Sequence, residues 1–364
     1  FIGCYGNGEV KTPNIDSMAE NGLKYTSAYC TNAMCSPCRA SVLTGLIPSA
    51  HGIHNWLDDN LEDQWPENWN AIGEFDSLPN KLRDAGFLNA LIGKYHLGKA
   101  WKSPDPFDHW VTFPHGHTKD FYNNKMIDNQ EVYNYEGHSV DFFTEKAVEY
   151  IEGRQNFGDS PFFLLLPYNG PYGHWPSIKG PANNRFADLY KDTPMDTIPR
   201  EGINRAAIDC YELNKNYHSH EDGGPDFSAL LQIPNDLVSL RNYFSQMTLI
   251  DEGVGKVLDT LVKRNLHEDT IVIFTADHGF SLGHHGFWGH AQATWPSNMF
   301  RVAYNIPLII RAPNRISPGL ISDRYVSSMD LFSTILDNLG LIDKAMDESI
   351  PSRSFLRLLD KLKN

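Results

Sequence analysis

The chain has few cysteines, no long apolar run and no internal repeat. Its five cysteines are odd in number, so the sequence does not indicate a disulfide framework. No stretch of 18 apolar residues occurs, and we therefore expect no membrane-spanning helix. With 41% hydrophobic and 21% charged residues, the composition is that of an ordinary globular protein.

Basic residues are scarce relative to acidic ones. The chain carries 31 Lys and Arg against 45 Asp and Glu, which gives a formal net charge of −14. This balance argues against nucleic acid as a partner. An anionic substrate would need local cationic groups to hold it against the overall charge, and the 15 histidines could contribute to them.

The pattern of apolar residues indicates an α/β fold. Strand-like runs alternate with helical patterns, which is typical of a parallel sheet with crossover helices. We expect strands at 23–29, 87–92, 161–166, 270–275 and 307–310, and helices at 14–20, 77–85, 139–152, 236–263 and 329–339. Ser139 is expected to cap the helix that runs to 152. The sequence therefore predicts a largely parallel central sheet sandwiched by helices. The segment 171–234 is expected to be a long loop, either a wall of a substrate pocket or a variable surface excursion.

The most informative segment is 35–45, which reads Cys-Ser-Pro-Cys-Arg-Ala-Ser-Val-Leu-Thr-Gly. Pro37 suits a first helical turn because it lacks an N–H group and its φ is preset. Gly45 supplies the left-handed stop of a short helix. Cys35 should then lie beside the N–H groups at the positive end of this helix, with Arg39 one turn later. Such a pocket suits an anion.

Two other interpretations of this segment exist. A cysteine near a helix start is often only a small buried hydrophobic residue. Alternatively, Cys30, Cys35 and Cys38 have the spacing of a plant-type ferredoxin cluster. The fourth iron ligand would have to be Cys4 or Cys210, which are both awkwardly placed, and the proline and arginine would have no role. We therefore favour the anion pocket.

The pattern Cys35-x-Pro37-x-Arg39, followed by Leu-Thr-Gly, resembles the signature of the type I, formylglycine-dependent sulfatases of the alkaline phosphatase-like superfamily. Three further segments support the resemblance, in the family's order and roughly its spacing: Thr-Pro-Asn-Ile-Asp at 12–16, Gly-Lys-Tyr-His-Leu-Gly at 93–98 and Thr-Ala-Asp-His-Gly at 275–279. The resemblance implies a sulfatase catalytic domain over residues 1–345 and the start of a C-terminal antiparallel subdomain at 346–364.

The resemblance also implies chemistry that lies outside the sequence. The family normally carries an Asp-Asp pair of metal ligands at the end of its first strand, shortly before a segment like 3–7. We expect this pair upstream of Phe1 and the rest of the C-terminal subdomain after Asn364. We interpret the sequence as trimmed at both ends, and we expect an exported protein, periplasmic or secreted, whose signal segment is not included.

The resemblance implies a role for each matching residue. A formylglycine-generating enzyme would convert Cys35 to formylglycine, whose hydrate is the nucleophile and a metal ligand. Asp277 and His278 follow a predicted strand, at the sheet edge where ligands bind, and should hold a Ca²⁺ ion, with Mg²⁺ as the second candidate. The other catalytic residues would be Lys94, Arg39 and His290 for the sulfuryl oxygens, His96 as proton acceptor and His174 as proton donor to the leaving alcohol.

Two positions depart from the family pattern. The usual Gly-Pro-His is Gly-Pro-Tyr at 170–172, with a histidine two residues later. Either His174 takes the place of the imidazole or Tyr172 supplies a weaker donor. His290 stands where many members have lysine, and its charge depends on pH, so we expect a change in pH optimum or in substrate class.

The resemblance thus predicts a sulfuric ester hydrolase that acts on a sulfated small molecule or glycan. One alternative is a phosphonate or phosphate-ester hydrolase on the same scaffold, which turnover of aryl sulfates and phosphate diesters would distinguish. Another is a catalytically silent glycan-binding relative, which an unmodified Cys35 with retained ligand binding would favour.

Overall fold

The chain folds into two units, each built from segments that alternate along the sequence. The first unit comprises Phe1–Thr26, Lys119–Phe121 and Gly170–Ser322, and the second comprises Ser27–Thr118, Tyr122–Asn169 and Asp323–Asn364. The structure is a computed structural model that describes residues 1–116, 118, 120–154, 158, 160–171, 180–200, 202–214, 236–291, 294, 296–342 and 349–355.

The helices and strands follow the predicted order. Within the described residues the helices are α1 (Pro13–Glu20), α2 (Cys35–Thr44), α3 (Pro48–His51), α4 (Leu78–Asp84), α5 (Ser139–Glu152), α6 (Ala187–Tyr190), α7 (Arg205–Asn214), α8 (Leu237–Lys263), α9 (Arg301–Tyr304) and α10 (Asp330–Asn338). The strands are β1 (Leu23–Tyr29), β2 (Leu88–Ile92), β3 (His109–Thr112), β4 (Asn124–Asp128), β5 (Glu131–Tyr135), β6 (Phe162–Leu165), β7 (Val272–Thr275), β8 (Ser281–Leu282), β9 (Trp288–Gly289), β10 (Asn305–Arg311), β11 (Leu320–Ser322) and β12 (Val326–Ser327). All ten predicted elements are confirmed, with ends that shift by three residues or fewer.

The sheet of the first unit has the strand order β11-β1-β10-β7. β1 pairs in parallel with β11, whereas β10 and β7 are antiparallel, with Leu308 opposite Thr275. The long helix α8 packs on α1, where both carboxylate oxygens of Asp251 accept backbone hydrogen bonds, from Asn14 and Ile15. β7 ends at Thr275, which places Asp277 and His278 directly after its carboxyl end.

The sheet of the second unit has the order β5-β4-β3-β2-β6. β2 lies between two parallel neighbours, β3 and β6, and β4 and β5 continue the sheet in antiparallel fashion. A hydrophobic core joins the underside of α2 to β2 and the segment after it, with Ala40, Leu43, Leu91, Tyr95 and Leu97 all buried. This core holds the helix that carries Cys35 close to the end of β2.

The α/β class is confirmed, and the sheets are mixed. The hairpin β4–β5 accounts for much of the antiparallel pairing, and the expected strands did not include it. It turns over two residues, of which Asn129 has a left-handed φ of 56°. Asparagine tolerates that conformation in tight hairpins, so Asn129 was the residue in the sequence that could have indicated the hairpin.

Two local expectations need correction. The predicted cap of α5 was Ser139, but Ser139 is the first helical residue and His138 is the cap, because its Nδ1 accepts from the N–H of Val140 at 3.1 Å. The segment 171–234 is not all loop, since its described parts contain α6 and α7. Every helix of the described residues is too short or too polar to traverse a lipid bilayer.

Candidate active site

Cys35 begins helix α2, as its sequence predicts. Met34 is the N-cap residue with extended backbone (φ −150°, ψ 146°), and Gly45 ends the helix in the left-handed region at φ 70°. The Cys35 side chain is buried, with a relative exposure of 1%. Because Cys35 is the first residue of α2, it lies among the N–H groups at the positive end of the helix, where a negative charge is stabilised.

Lys94 brings a buried ammonium group to this cysteine. Its Nζ lies 3.4 Å from Cys35 Sγ, and the side chain is only 5% exposed. The Lys94 backbone N–H donates to the carbonyl of Pro167 at 2.8 Å. Gly93, with φ 136°, allows this approach, because a Cβ at that position would lie 2.2 Å from the Pro167 oxygen. The backbone thus fixes the cation beside the thiol.

Arg39 lies one turn after Cys35 and reaches the same segment. Its Nη1 donates to the backbone carbonyl of Lys94 at 2.6 Å. The guanidinium therefore holds the residue that carries the ammonium group. The predicted association of Cys35, Arg39 and Lys94 is present in the second unit.

His96 belongs to the same unit but not to an extended segment. An extended chain after β2 would place the side chains of Lys94 and His96 on one face, because side chains alternate along a strand. The chain does not stay extended, because β2 ends at Ile92 and His96 has a left-handed φ of 56°. The imidazole is buried, and its Nε2 contacts the carbonyl oxygen of Leu57 at 2.8 Å.

Asp277 and His278 form the candidate metal ligands of the first unit. The next residue, Gly279, donates its N–H to the Ala303 carbonyl at 3.0 Å. A Cβ on Gly279 would lie 2.2 Å from the Val302 oxygen, so glycine permits this packing. The turn after β7 is therefore fixed by backbone contacts, and it presents both side chains together.

The two side chains fit a divalent cation. His278 Nδ1 lies 2.9 Å from the Gly279 carbonyl oxygen, which can only accept a hydrogen bond. The neutral ring therefore carries its proton on Nδ1 and its lone pair on Nε2. This Nε2 lies 3.7 Å from Asp277 Oδ1, and the carboxylate is 24% exposed. A carboxylate and an imidazole oriented by a backbone carbonyl are common features of metal sites.

His290 lies next to this pair. Its ring centroid is 4.8 Å from that of His278, and its side chain is 5% exposed. The neighbouring histidines have apolar contacts: His285 stacks on Phe300 at 3.9 Å, and His284 lies 5.7 Å from the ring of Phe1. Burial lowers the pKa of His284, which favours its neutral form.

The position of the leaving-group donor is not described. Both His174 and Tyr172 lie outside the described residues, so the choice between them stays a prediction.

Sequence reasoning missed other residues of the site altogether. Leu57 and Gly116 contact the ring of His96, and Ser36 Oγ accepts from the N–H of Leu57 at 3.1 Å. These contacts use backbone atoms of residues distant in sequence, which leave no motif.

Comparison with known proteins shows the family of the chain. The family model described as Sulfatase matches residues 1–341. The chain is similar to N-acetylglucosamine-6-O-sulfatase from Bacteroides thetaiotaomicron, with 26% identity over 386 aligned positions that cover 93% of the chain. It spans 65% of the length of that relative, which is less than two thirds.

Solved structures share the fold. One is a protein in complex with its substrate D-glucosamine-2-N,6-O-disulfate, with a TM-score of 0.73, 24% identity and coverage of 98% of this chain and 77% of that one. Another is the phosphonate monoester hydrolase of Agrobacterium radiobacter, with a TM-score of 0.70, 20% identity and coverage of 99% and 74%. At these identities the likeness concerns the fold, and it confirms the predicted architecture.

Proposed function

Because the chain belongs to the sulfatase family, we propose that it contributes the catalytic domain of an enzyme that hydrolyses sulfate esters on sulfated sugars. The observation that carries the proposal is the buried Lys94 ammonium, 3.4 Å from Cys35 Sγ at the start of α2. A cation and a helix N-terminus together favour an anionic group at the position of the thiol. This local charge opposes the net charge of −14.

We propose that Cys35 acts after conversion to formylglycine by a formylglycine-generating enzyme. One hydroxyl of the hydrated aldehyde gives its proton to Asp277 and attacks sulfur, and the S–O bond to the sugar breaks with its electron pair leaving on the sugar oxygen. A histidine, His174 in this proposal, gives that oxygen a proton. Lys94, Arg39 and His290 neutralise the sulfuryl oxygens, which is electrostatic stabilisation of the developing charge.

Asp277 and His278 are proposed to hold a Ca²⁺ ion, with Mg²⁺ as the second candidate. When bound, the metal activates the attacking hydroxyl and stabilises negative charge. The support in this chain is the pair of donor atoms, Asp277 Oδ1 and His278 Nε2, held 3.7 Å apart. The hydrogen bond from His278 Nδ1 to a backbone carbonyl fixes the orientation of the ring and leaves the lone pair on Nε2 available for a metal ion.

The substrate class follows from the relatives and stays a proposal. The relative with 26% identity is named for a sulfate at the 6-position of N-acetylglucosamine, and one structure of the same fold holds a sulfated glucosamine. We therefore propose a sulfated amino sugar as the first substrate to test. We also propose that the protein is exported, periplasmic or secreted, as the family resemblance implies.

Turnover by the full-length protein tests the proposal. Protein produced with a formylglycine-generating enzyme is incubated with glucosamine 6-sulfate, 4-nitrophenyl sulfate and a phosphate diester, and Cys35→Ala serves as the inactive control. Release of sulfate by the wild type alone supports the proposal. Faster cleavage of the phosphate diester favours the phosphoester hydrolase, and sugar binding without turnover on unmodified Cys35 favours the silent relative.

A further inference from the structure

We infer that His96 exchanges protons through Nδ1, and that Leu57, Asp59 and Gly116 are positioning residues that fix its ring. The chemical role of this inference rests on the proposed function, because the inference names the reacting atom of the proposed proton acceptor. The structural observations that support it all lie within the second unit. None of these three residues belongs to a sulfatase motif in the sequence.

The first step is the identity of the protonated nitrogen. His96 Nε2 lies 2.8 Å from the carbonyl oxygen of Leu57. A carbonyl oxygen can only accept, so Nε2 must carry a hydrogen in the neutral ring as well as in the cation. The proton that comes and goes is then the one on Nδ1. Such a bond to a backbone carbonyl fixes both the tautomer and the direction of the ring.

The second step is the contact that sets the position of the ring. A Cβ added to Gly116 would lie 1.8 Å from Cδ2, 2.3 Å from Cγ and 2.4 Å from Nε2 of His96. The φ of Gly116 is not in the left-handed region, so its backbone conformation alone does not require glycine. The glycine is therefore explained by the imidazole, which packs directly against its Cα.

The third step links this contact to the nucleophile. The Leu57 N–H donates to Ser36 Oγ at 3.1 Å, and Ser36 follows Cys35 in helix α2. The Gly116 N–H donates to Asp59 Oδ1 at 3.0 Å. The segment 57–59 therefore holds the start of the nucleophile helix, the Nε2 side of His96 and the glycine beneath its ring. Movement of this segment would move Nδ1.

Under the proposed function, His96 has a defined part in the release of sulfate. The remaining hydroxyl on the formylglycine carbon gives its proton to Nδ1. Its O–H electron pair forms the carbonyl bond, while the C–O bond to sulfate breaks and its pair leaves on sulfate. The imidazolium then returns the proton to water. Nε2 keeps its hydrogen bond to Leu57 throughout.

A double-mutant cycle tests the positioning role in the full-length, modified protein. Gly116→Ala should lower kcat by about 10- to 100-fold with little change in KM, because a displaced catalytic group costs rate rather than binding. In a His96→Ala background, the same substitution should change kcat by less than about twofold, since the effect acts through the ring. Gly8→Ala is the matched control, because a Cβ at Gly8 meets no atom within 4 Å.

Equal losses of kcat from Gly116→Ala with and without His96 would overturn the positioning role. If Gly116→Ala does not fold, Asp59 provides the second pair of variants. Asp59→Asn keeps an acceptor for the Gly116 N–H, whereas Asp59→Ala removes it, so only the alanine variant should lose kcat. Equal activity of the two would also count against the inference.

A spectroscopic measurement separates this inference from the proposed function. ¹⁵N NMR of imidazole-labelled protein should show a protonated Nε2 and an unprotonated Nδ1 for the neutral His96 ring, assigned with His96→Ala. This result is expected whether or not the protein hydrolyses sulfate esters. A neutral ring with its proton on Nδ1 would overturn the inference, even in an active sulfatase.

Discussion

Replacement of Lys94 by methionine removes the buried cation beside Cys35 while keeping the length of the side chain. The Nζ–Sγ distance is 3.4 Å. Two unit charges at that distance attract by about 5 kcal/mol at an effective dielectric constant of about 20. Only the part of this attraction that increases between the bound substrate and the transition state affects kcat. Loss of one group that stabilises the transition-state charge typically costs about 3–4 kcal/mol, or about 10²–10³ in rate.

The assay is the steady-state hydrolysis of 4-nitrophenyl sulfate by full-length protein in which formylglycine at position 35 has been verified by mass. We expect Lys94→Met to lower kcat by about 10²–10³-fold. We also expect an unchanged or higher melting temperature, because methionine removes a buried charge. Lys125→Met is the control, since Lys125 lies 5.8 Å from the ring of Trp101 and contacts no proposed catalytic residue among the contacts described. A Lys94→Met enzyme with wild-type kcat would refute the reasoning.

Three further predictions concern the nucleophile, the metal and the fold. Cys35→Ala should abolish turnover, whereas Cys38→Ser should retain it. Cys38 is buried with its Sγ 3.4 Å from Ser328 Oγ, and it is not followed by a proline and an arginine at the motif spacing. The reverse result would reject the assignment. Asp277→Ala should weaken Ca²⁺ binding to the full-length protein by at least about tenfold in calorimetry. Asp259 is exposed, and Asp259→Ala should leave the affinity unchanged. Equal affinities of the two variants would remove Asp277 from the site. Asp251→Ala should lower the free energy of unfolding by about 3 kcal/mol in a urea titration, because three donors of Asn14 and Ile15 lose their acceptor. Burial raises the pKa of Asp251, so its proton contributes stability at low pH that is lost as pH rises through the raised value, and this part of the pH dependence should be absent from the variant.

Local signals explain how much of the fold could be predicted. Pro37 and Gly45 define the two ends of α2 because each has a backbone preference that needs no tertiary contact. The helical spacing of Leu240 and Phe244 predicts α8 for a similar reason, since both side chains are buried on one face. Pairing direction is not local. The antiparallel contact of β10 with β7 depends on segments that lie 30 residues or more apart, and no residue pattern encodes it.

The candidate site divides in the same way. Cys35, Lys94, Asp277 and His278 could be selected because motifs carry them. The conformation of His96 could not, because no residue pattern signals its left-handed φ or its contact with the Leu57 carbonyl. Its neighbour Gly116 is one of 28 glycines, and only the structure distinguishes it from the rest. Contacts made by backbone atoms therefore remain the part of a site that sequence patterns miss.

The most direct test of the account measures formylglycine occupancy and turnover on the same samples. Full-length protein is prepared with increasing levels of a formylglycine-generating enzyme, and the modified fraction of the Cys35 peptide is determined by mass spectrometry. The account predicts that the rate of sulfate release from an aryl sulfate rises in proportion to that fraction and extrapolates to zero for unmodified cysteine. A rate that is independent of the modified fraction, or no sulfate release from fully modified protein, would contradict it.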